Sequence, residues 1–470
     1  MNAVWKRRRM RLLVVVVLAV VALVGTVLVR RDLAARRYAA AIGQLDRDNP
    51  YWRLDDLVAH LQSTPISDDE NLAVPLAEVA AALPLPDADY GQRRADLVVD
   101  LVPNVRLTRD QWRVVIEGVE RTEAAIGPAL DMERFSRGRH TIAYTADGIS
   151  TRLPHIDRLY TARYWLLEDL QLAAVQRGDA TTALRVLVAT LNLGRSMRDE
   201  PTAVSQFRRT ALRKSAVRDV ERLLGHLALT EMQLQSIDRE LHAELDDDLW
   251  PVAIRGELAF VDRFMTAVQS GVLRPSMLKR LGPIMPPPPT PADQAADWIV
   301  DHVGVSVVAE HAELLETAAR VVATARLTWP ERWSAHRSLP SKEDPLKPEL
   351  VRLLTPNCRG LIGRFALDEA RVRCALAAIA IEQHRVTNGG WPKSLADLGP
   401  LPTDPFTGMP LLYKQLADGV VVYSVGPDEI DDGGTLTETN ASLMAPNTDI
   451  GVRLWDMPHR NQRAPDRDSP

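Results

Sequence analysis

The chain has 470 residues, of which 46% are apolar and 25% charged, so its composition is globular, with enough apolar material for several cores. Lys and Arg number 57 against 62 Asp and Glu, a net charge of -5, which gives no overall electrostatic case for nucleic-acid binding. Two cysteines exclude a disulfide framework, and the length suggests about three structural units.

The N-terminus combines a basic stretch, Lys6 to Arg11, with the apolar run Leu12 to Val29. As a helix this run covers roughly 27 Å, just enough for a hydrocarbon core of about 30 Å. A cleaved signal peptide is the alternative, but no small-residue cleavage pattern stands before Arg30, which favours an uncleaved anchor. We therefore expect a single pass of the cell inner membrane, with a cytoplasmic N-terminus and an extracytoplasmic bulk.

The next stretch, residues 32–150, has amphipathic helical patterns broken by prolines. Ser67-Asp68-Asp69-Glu70 and Thr108-Arg109-Asp110-Gln111 both have the capping-box pattern. In that pattern a hydroxyl and an acid or amide three residues later satisfy free amides at a helix start. Both segments therefore predict the start of a helix.

Residues 151–328 have the most regular helical pattern in the chain. Apolar residues recur at spacings of three and four from Tyr160 to Gln176 and again from Thr181 to Met197. Gly178-Asp179 predicts the turn between them, and Thr230 opens a further capping box. Such pairs are typical of antiparallel hairpins in a bundle or a solenoid, although the sequence has no fixed-period repeat.

This helical region has no catalytic motif in its sequence. Glu310-His311-Ala312-Glu313 lacks further residues at metal-ligand spacing and predicts a solvated helix face. Arg208-Arg209 and Arg213-Lys214 have one aromatic neighbour, Phe207, which is no stacking platform for nucleic acid. Asp246-Asp247-Asp248 predicts a hydrophilic helix end.

A charged, proline-rich stretch, residues 329–356, is predicted to link the helical body to a C-terminal unit. An apolar stripe then predicts one helix over about Gly360 to His384, which Asn388-Gly389 would end. The rise of such a helix holds the Cα atoms of Cys358 and Cys374 roughly 20 Å or more apart. We therefore expect the two cysteines not to bridge.

Two β-rich runs follow the helix, Leu411 to Leu416 and Val420 to Val425, around the turn signal Asp418-Gly419. They predict a hairpin. Acidic residues then cluster in sequence, at Asp428, Glu429, Asp431 and Asp432 and again at Asp449. Clustered carboxylates are either spread into water or gathered by a hard cation such as calcium.

As a set, these C-terminal motifs resemble the globular part of the major pseudopilin of type II secretion systems. The set comprises Asn-Gly-x-aromatic-Pro at 388–392, Asp-Pro-aromatic-x-Gly-x-Pro at 404–410, the hairpin, Ser-x-Gly-x-Asp at 424–428 and Asp-Ile at 449–450. The resemblance covers about residues 365–455, under a fifth of the chain. It implies a small α+β domain with a calcium-binding loop.

Carried over by position, the resemblance makes Asp428, Asp449 and the backbone carbonyl of Val425 calcium ligands. The family usually has two acidic residues before the Ile, whereas this chain has one, so Asp431 or Asp432 would have to compensate. The prediction is a Ca²⁺ site formed by these five residues, with a plain acidic loop as the alternative.

Two departures from the family bear on function. The family's processing site, Gly followed by Phe-Thr and a Glu, is not found before the apolar run, and a long helical body separates that run from the C-terminal unit. A processed filament subunit is therefore disfavoured. The leading hypothesis is a non-enzymatic envelope scaffold or assembly protein, associated with a type II secretion or pilus-like system and with other envelope proteins. The alternative is an extracytoplasmic hydrolase that uses carboxylates of the helical region.

The predicted fold class is mainly α: a transmembrane anchor, a helical-hairpin, bundle or solenoid-like body, and a small α+β pseudopilin-like C-terminal domain. The predicted segments are a cytoplasmic tail and anchor (1–31), an N-terminal helical region (32–150), a helical-hairpin domain (151–328), a linker (329–356), the pseudopilin-like domain (357–456) and a disordered tail (457–470). A concave pocket with converging titratable groups would favour the enzyme, and an exposed groove or patch the scaffold.

Overall fold

A computed structural model describes residues 2–84, 87–274, 276, 290–302, 307–339, 347–355, 358–436 and 447–464. The chain is mainly helical, with a small antiparallel sheet near its C-terminal end. The helices are α1 Asn2–Asp48, α2 Leu54–Leu61, α3 Ala73–Ala82, α4 Ala88–Leu97, α5 Arg109–Arg121, α6 Glu123–Asp131, α7 Pro154–Ala162, α8 Glu168–Arg177, α9 Ala180–Arg195, α10 Ala203–His226, α11 Glu231–Leu245, α12 Leu249–Gln269, α13 Pro291–His302, α14 Val307–Ala323, α15 Glu331–Ala335, α16 Glu349–Leu354 and α17 Cys358–Asn388. The strands are β1 Leu412–Leu416, β2 Gly419–Ser424 and β3 Ile450–Trp455.

Helix α1 runs without a break from the apolar segment into the body. It contains the one span, among the described residues, that is long and apolar enough to cross a membrane, so it is a candidate membrane anchor or signal sequence. Its later turns pack against α14, where Ala34, Ala41 and Leu45 are buried. Arg37 donates to both carboxylate oxygens of Glu316, at 2.7 and 2.6 Å. The apolar segment and the body are therefore joined by continuous helix.

The helical pairs and two of the capping boxes are confirmed. Gly178 adopts a left-handed backbone (φ 81°) at the end of α8, and Asp179 accepts from the backbone N–H of Thr182 at the start of α9. Thr108 and Thr230 each form a complete capping box. These features depend on residues only a few positions apart, which is why the local sequence identifies them.

The helix start predicted at Ser67 is wrong. Residues 68–70 form a turn, and α3 begins at Ala73. Asn71 takes over the capping role, because its side-chain oxygen accepts from the backbone N–H of Ala73 at 3.1 Å and from that of Arg139 at 2.8 Å. A long-range contact thus moves the helix start towards the C-terminus.

One helix predicted from Tyr160 to Gln176 is interrupted. A π-turn, Arg163–Leu167, joins α7 to α8. A π-turn inserts one residue into the helical repeat and shifts the faces on either side of it, and such insertions are frequent at functional sites. Here the insertion starts at the buried side chain of Arg163.

The C-terminal sheet confirms the predicted hairpin and adds a strand. Strands β1 and β2 are antiparallel around Asp418, and β3 pairs with the other edge of β2. Gly419 is required at the turn, because a Cβ there would lie 2.0 Å from the carbonyl oxygen of Leu454. The central strand β2 is buried along its whole length.

The helical body and the C-terminal unit share apolar core. One cluster joins Leu187 of α9 and Leu223 of α10 to Ile381 of α17 and to Val420 and Leu454 of the sheet. Part of the predicted linker is also packed, since the Trp333 ring meets Phe406 edge-on at 5.0 Å. Residues 340–346 of that linker and the proline run at 286–289 lie outside the described residues.

Helix α17 carries both cysteine positions and begins at Cys358, two residues before the predicted start. Cys374 is a free, buried thiol whose Sγ lies 3.4 Å from the backbone oxygen of Ile450. Because the two residues lie on one helix, the helical rise keeps them apart, as expected.

The predicted disordered tail is wrong for residues 457–464. Arg460 is buried and donates to both carboxylate oxygens of Glu382, each at 2.8 Å. Gln462 donates a backbone hydrogen bond to Asn104 at 2.7 Å. The polar composition suggested disorder, but a buried carboxylate on α17 holds the segment in place. Residues 465–470 lie outside the described residues.

Candidate functional site: an arginine-lined cavity

The helical body contains a cavity of about 390 Å³ between α4, α7, the π-turn and α10. This volume lies within the range of about 300–1,000 Å³ that is usual for small-molecule sites. One wall is a single face of α10, because its lining residues recur at helical spacing. The lining residues are Ala95, Val98, Val99, Ile156, Leu159, Tyr160, Arg163, Tyr164, Glu168, Arg208, Ala211, Leu212, Ser215 and Arg218.

Arg163 is the buried cation of this cavity, and 8% of its surface is exposed. Its Nη2 donates to Oδ1 of Asp219 at 3.0 Å. Its Nε and Nη1 are buried without a hydrogen-bond partner among the described residues. An unmet N–H of a buried cation is costly, so this position favours an anionic or acceptor group beside it.

Two further arginines line the cavity from α10. Arg208 is exposed and Arg218 half-buried, and neither forms an ion pair or hydrogen bond within the described part of the chain. Arg163 is ion-paired with Asp219, so among the described residues Arg208 and Arg218 are the arginines of the lining that no ion pair offsets. Glu168, the carboxylate of the lining, is held by Arg94, whose Nη2 lies 3.2 Å away. The cavity is therefore electropositive.

Two tyrosines complete the wall that α7 and the π-turn provide. Tyr160 is 53% exposed and stacks on Tyr164, with ring centroids 5.4 Å apart. The guanidinium carbon of Arg94 lies 4.1 Å from the centroid of the Tyr164 ring, a cation–π contact. Tyrosine combines an apolar ring with a polar tip, which suits the entrance of a cavity that is apolar inside and open to water outside.

A second, water-sized void of about 30 Å³ adjoins the cavity and shares Arg163, Glu168 and Arg218 with it. Asp219 and Glu221 line this void, and each has one carboxylate oxygen that is buried without a hydrogen-bond partner among the described residues. Burial raises the pKa of Asp219 to about 6, against the attraction of Arg163. Burial likewise raises the pKa of Glu221 to about 7.

The opposite face of α10 carries a sealed ionic network. Arg213 is 4% exposed and donates to Glu244 at 2.6 Å and to Asp368 at 3.1 Å. Arg209, also buried, donates to Asp247, so the acidic run at 246–248 is in part a set of buried partners and not only a hydrophilic helix end. Burial works to raise the pKa of Glu244, but the guanidinium groups of Arg213 and Arg195 outweigh it and hold that pKa below its usual range.

The prediction that Glu310 to Glu313 form a solvated helix face is wrong for His311. His311 is fully buried, its Nε2 lies 3.1 Å from Oδ1 of Asp262, and its Nδ1 lies 2.9 Å from Nε2 of Gln269. The ring also packs against Tyr38 of α1 at 4.9 Å. His311 therefore helps to hold α1 against the body.

The five predicted calcium ligands follow the hairpin, but they do not converge equally. Asp449 is fully buried and accepts from the backbone N–H groups of Gly434 at 2.8 Å and Asp432 at 3.3 Å. Burial raises the pKa of Asp449, and the nearby charges of Asp431 and Asp432 raise it further. These three carboxylates are therefore electrostatic neighbours.

The other two predicted ligands lie in different surroundings. Asp428 is exposed, and its Oδ1 accepts from the backbone N–H of Ile430 at 3.2 Å. Val425 is buried and donates its backbone N–H to Asp404 at 3.0 Å. Within the described residues, no three His, Cys, Asp or Glu side chains are grouped so that they could hold a metal ion. The calcium site stays a prediction.

The arginine-lined cavity is not predicted by any motif singled out in the sequence. Its only sequence signal is the spacing of Arg208, Ala211, Ser215 and Arg218, which places two arginines and two small residues on one face of α10. Arg163 and Tyr160 come from a different helix, so the convergence depends on packing. Comparison with known proteins adds no relative, because no family model, curated protein or solved structure matches this chain.

Proposed function

We propose that this protein is a membrane-anchored, extracytoplasmic envelope protein that acts as a scaffold and binds an anionic ligand in the arginine-lined cavity. The observation that carries the proposal is the cavity lining, in which Arg163, Arg208 and Arg218 face a cavity with one opposing carboxylate. Arginine stays protonated at any physiological pH, so it serves for anion recognition and not for proton transfer.

The lining also bears on the choice between binding and catalysis. Glu168 is the one carboxylate of the lining, and it is engaged by Arg94. Burial works to raise its pKa, but Arg163 and Arg94 outweigh it and hold that pKa below the usual range, so Glu168 is ionised and unsuited to donate a proton. The acids with raised pKa values, Asp219 and Glu221, line the smaller void behind the arginines. A concave pocket with titratable groups beside it is the feature that would favour an enzyme, so the hydrolase remains the alternative; against it stands the ionised state of Glu168, which leaves the cavity lining without a carboxylic acid that could donate a proton.

The anchor supports the scaffold part of the proposal. Because α1 is continuous from its apolar segment to Asp48 and is fixed to α14, the body would stand at a set height above the membrane. We place this anchor in the cell inner membrane, with the N-terminus cytoplasmic. The resemblance of residues 365–455 to the pseudopilin domain supports a place beside a type II secretion or pilus-like system, with other envelope proteins as partners.

The test of anion binding uses the full chain in nanodiscs of neutral phosphatidylcholine. The probe is 8-anilinonaphthalene-1-sulfonate, an apolar anion whose fluorescence rises in apolar sites. We expect saturable binding above the signal of empty discs, weakened about tenfold by Arg218→Gln, because a charge-assisted hydrogen bond is lost. Arg113→Gln, which changes an exposed arginine on α5, is the control. Equal binding by wild type and Arg218→Gln would contradict the proposal.

A further inference from the structure

We propose that the ligand of the arginine-lined cavity is a single-chain lipid anion, with one acyl chain on the apolar wall and a carboxylate or phosphate on the arginines. This inference rests on the proposed anion binding and narrows its ligand to one chemical class. Three features of the cavity carry it: its apolar wall, the position of its cations, and its place beside the anchor.

The apolar wall makes up half of the lining residues, and the other half is polar, comprising Tyr160, Tyr164, Ser215, Glu168 and the three arginines. Val98, Ile156, Leu159 and Leu212 line the apolar wall and are nearly fully buried, and Val99, 49% exposed, continues it outwards. A sugar or nucleotide would leave its hydroxyl and amide groups without partners along this wall. A hydrocarbon chain carries no such groups, and its burial is favourable in proportion to the area removed from water.

Arg163 and Arg218 are the cations that would hold the anionic headgroup, because Arg208 lies ten residues, roughly 15 Å of helix rise, from Arg218. Arg163 supplies buried Nε and Nη1 groups that have no partner among the described residues. Arg218 lines the cavity from one turn before Arg222 on α10, and Arg208 marks its exposed end. Guanidinium groups bind carboxylate and phosphate in a bidentate manner, so either head fits the same arginines.

The cavity lies next to the part of the body that seats the anchor. Phe207, the neighbour of Arg208, packs against the apolar cluster that contains Ala41 and Leu45 of α1. The exposed end of the cavity is thus one residue along α10 from the core that the anchor helix enters. Ala41 is 12 residues beyond Val29, so this core stands roughly 18 Å along the helix from the apolar segment, and a lipid anion drawn from the same membrane would cross that distance to reach the site.

The experiment measures displacement of the fluorescent sulfonate from the full chain in phosphatidylcholine nanodiscs. The competitors are palmitate, octanoate, hexadecanol and inorganic phosphate, with concentrations corrected for partition into empty discs. We expect palmitate to displace the probe at least tenfold more effectively than octanoate, because each additional buried methylene contributes. We expect hexadecanol and inorganic phosphate to compete at least tenfold less well than palmitate.

Variants identify the cavity as the place of binding. Ala211→Trp puts a large ring on the lining from an exposed position of α10, so it should abolish palmitate binding without unfolding the chain. Arg218→Gln should weaken palmitate about tenfold and leave hexadecanol unchanged. Arg113→Gln is the matched control, and circular dichroism verifies that each variant is folded.

The outcomes separate this inference from the proposed function. If the sulfonate binds through Arg218 but palmitate, octanoate and phosphate compete equally, the cavity binds anions and the lipid inference is wrong. Hexadecanol that competes as well as palmitate, or palmitate binding that survives Ala211→Trp, also overturns it. If no anion binds, the proposed function fails as well. The inference is supported only by chain-length dependence together with arginine dependence at this cavity.

Discussion

Helix α10 carries two arginine clusters on opposite faces, and they differ in nearly every physical respect. Arg209 and Arg213 point into the body and meet Asp247, Glu244 and Asp368. Arg208 and Arg218 line the cavity, and no ion pair holds either of them within the described part of the chain. Arg208 and Arg209 are adjacent in sequence but belong to different clusters. Arg209 belongs to the buried ion pairs, and Arg208 belongs to the cavity lining.

The difference shows that a buried charge can either form a structural ion pair or remain available to bind a ligand. In the sealed network the attraction between opposite charges offsets the cost of removing them from water, so the loss of one partner leaves another charge uncompensated. In the cavity, Arg163 is buried but only partly paired, which leaves N–H groups that a bound anion can satisfy.

The largest effect on the free energy of unfolding is expected in the sealed ionic network around Arg213. Arg213→Met removes the shared partner of Glu244 and Asp368 and should lower the free energy of unfolding by about 3–5 kcal/mol. Urea unfolding of the purified protein, followed by circular dichroism, measures this change. A loss below about 1 kcal/mol would mean that the network is less important for stability than its burial suggests.

A large effect on the free energy of unfolding is expected at the acidic loop, on the condition that calcium binds there. If calcium binds there, saturating calcium should raise the free energy of unfolding by about 2.7 kcal/mol at a hundred times the dissociation constant. The reason is that Asp449 is buried beside Asp431 and Asp432, whose repulsion a cation would relieve. Thermal melting of the full chain with calcium and with chelator is the measurement.

The calcium prediction has a matched pair of variants. Asp449→Asn should remove the calcium dependence, whereas Asp157→Asn on α7 should keep it. Equal melting midpoints of the wild type with calcium and with chelator would leave the plain acidic loop as the explanation.

A pH effect of intermediate size is expected beside the cavity. Because burial raises the pKa of Asp219 from 3.8 to about 6, the folded protein holds a proton that the unfolded chain releases. This contribution is fully present below about pH 3.8 and is lost as the pH rises through about 6, a change of about 3 kcal/mol. Glu168, Arg163 and Arg218 face the same void and act on this carboxyl.

Asp219→Asn isolates that contribution. The variant lacks the titrating group but keeps an oxygen that can accept from Arg163, so its stability should fall less than that of the wild type between about pH 4 and 6. Urea unfolding at several pH values compares the two. Parallel stability curves would contradict the assignment.

The smallest effect is expected at the exposed end of the cavity. Arg208→Met should change the free energy of unfolding by no more than about 0.5 kcal/mol, because the residue is exposed and no ion pair holds it among the described residues. It should nevertheless weaken anion binding. A loss comparable with that of Arg213→Met would erase the distinction between the two faces of α10.

Local signals made much of the fold predictable. The capping boxes at Thr108 and Thr230, the turn at Gly178 and the hairpin at Asp418-Gly419 are each specified by a few adjacent residues, and the structure has them. The start at Ser67 failed because Asn71 hydrogen-bonds with a segment remote in sequence. Strand β3 was missed because residues 425–449 separate it in sequence from its partner β2.

The site was less predictable, because it is formed by residues that are distant in sequence and come together only in the folded chain. Arg163 reaches the cavity through a π-turn that has no evident sequence signal, and its carboxylate partner lies on another helix. His311 and Arg460 are polar residues in polar stretches, and their burial depends on Asp262 and Glu382, which lie far from them in the chain. Composition alone could not separate these residues from solvated ones.

The continuity of α1 fixes an angle as well as a distance. Each residue of an α-helix turns the chain by about 100°, so an unbroken helix transmits its rotational phase from the apolar segment to the body. One residue inserted between Val29 and Ala34 would turn the whole body by that amount about the helix axis, while raising it by only about 1.5 Å. If α1 spans a membrane, as proposed, the direction in which the cavity opens around the helix axis is set by the number of residues in a single helix.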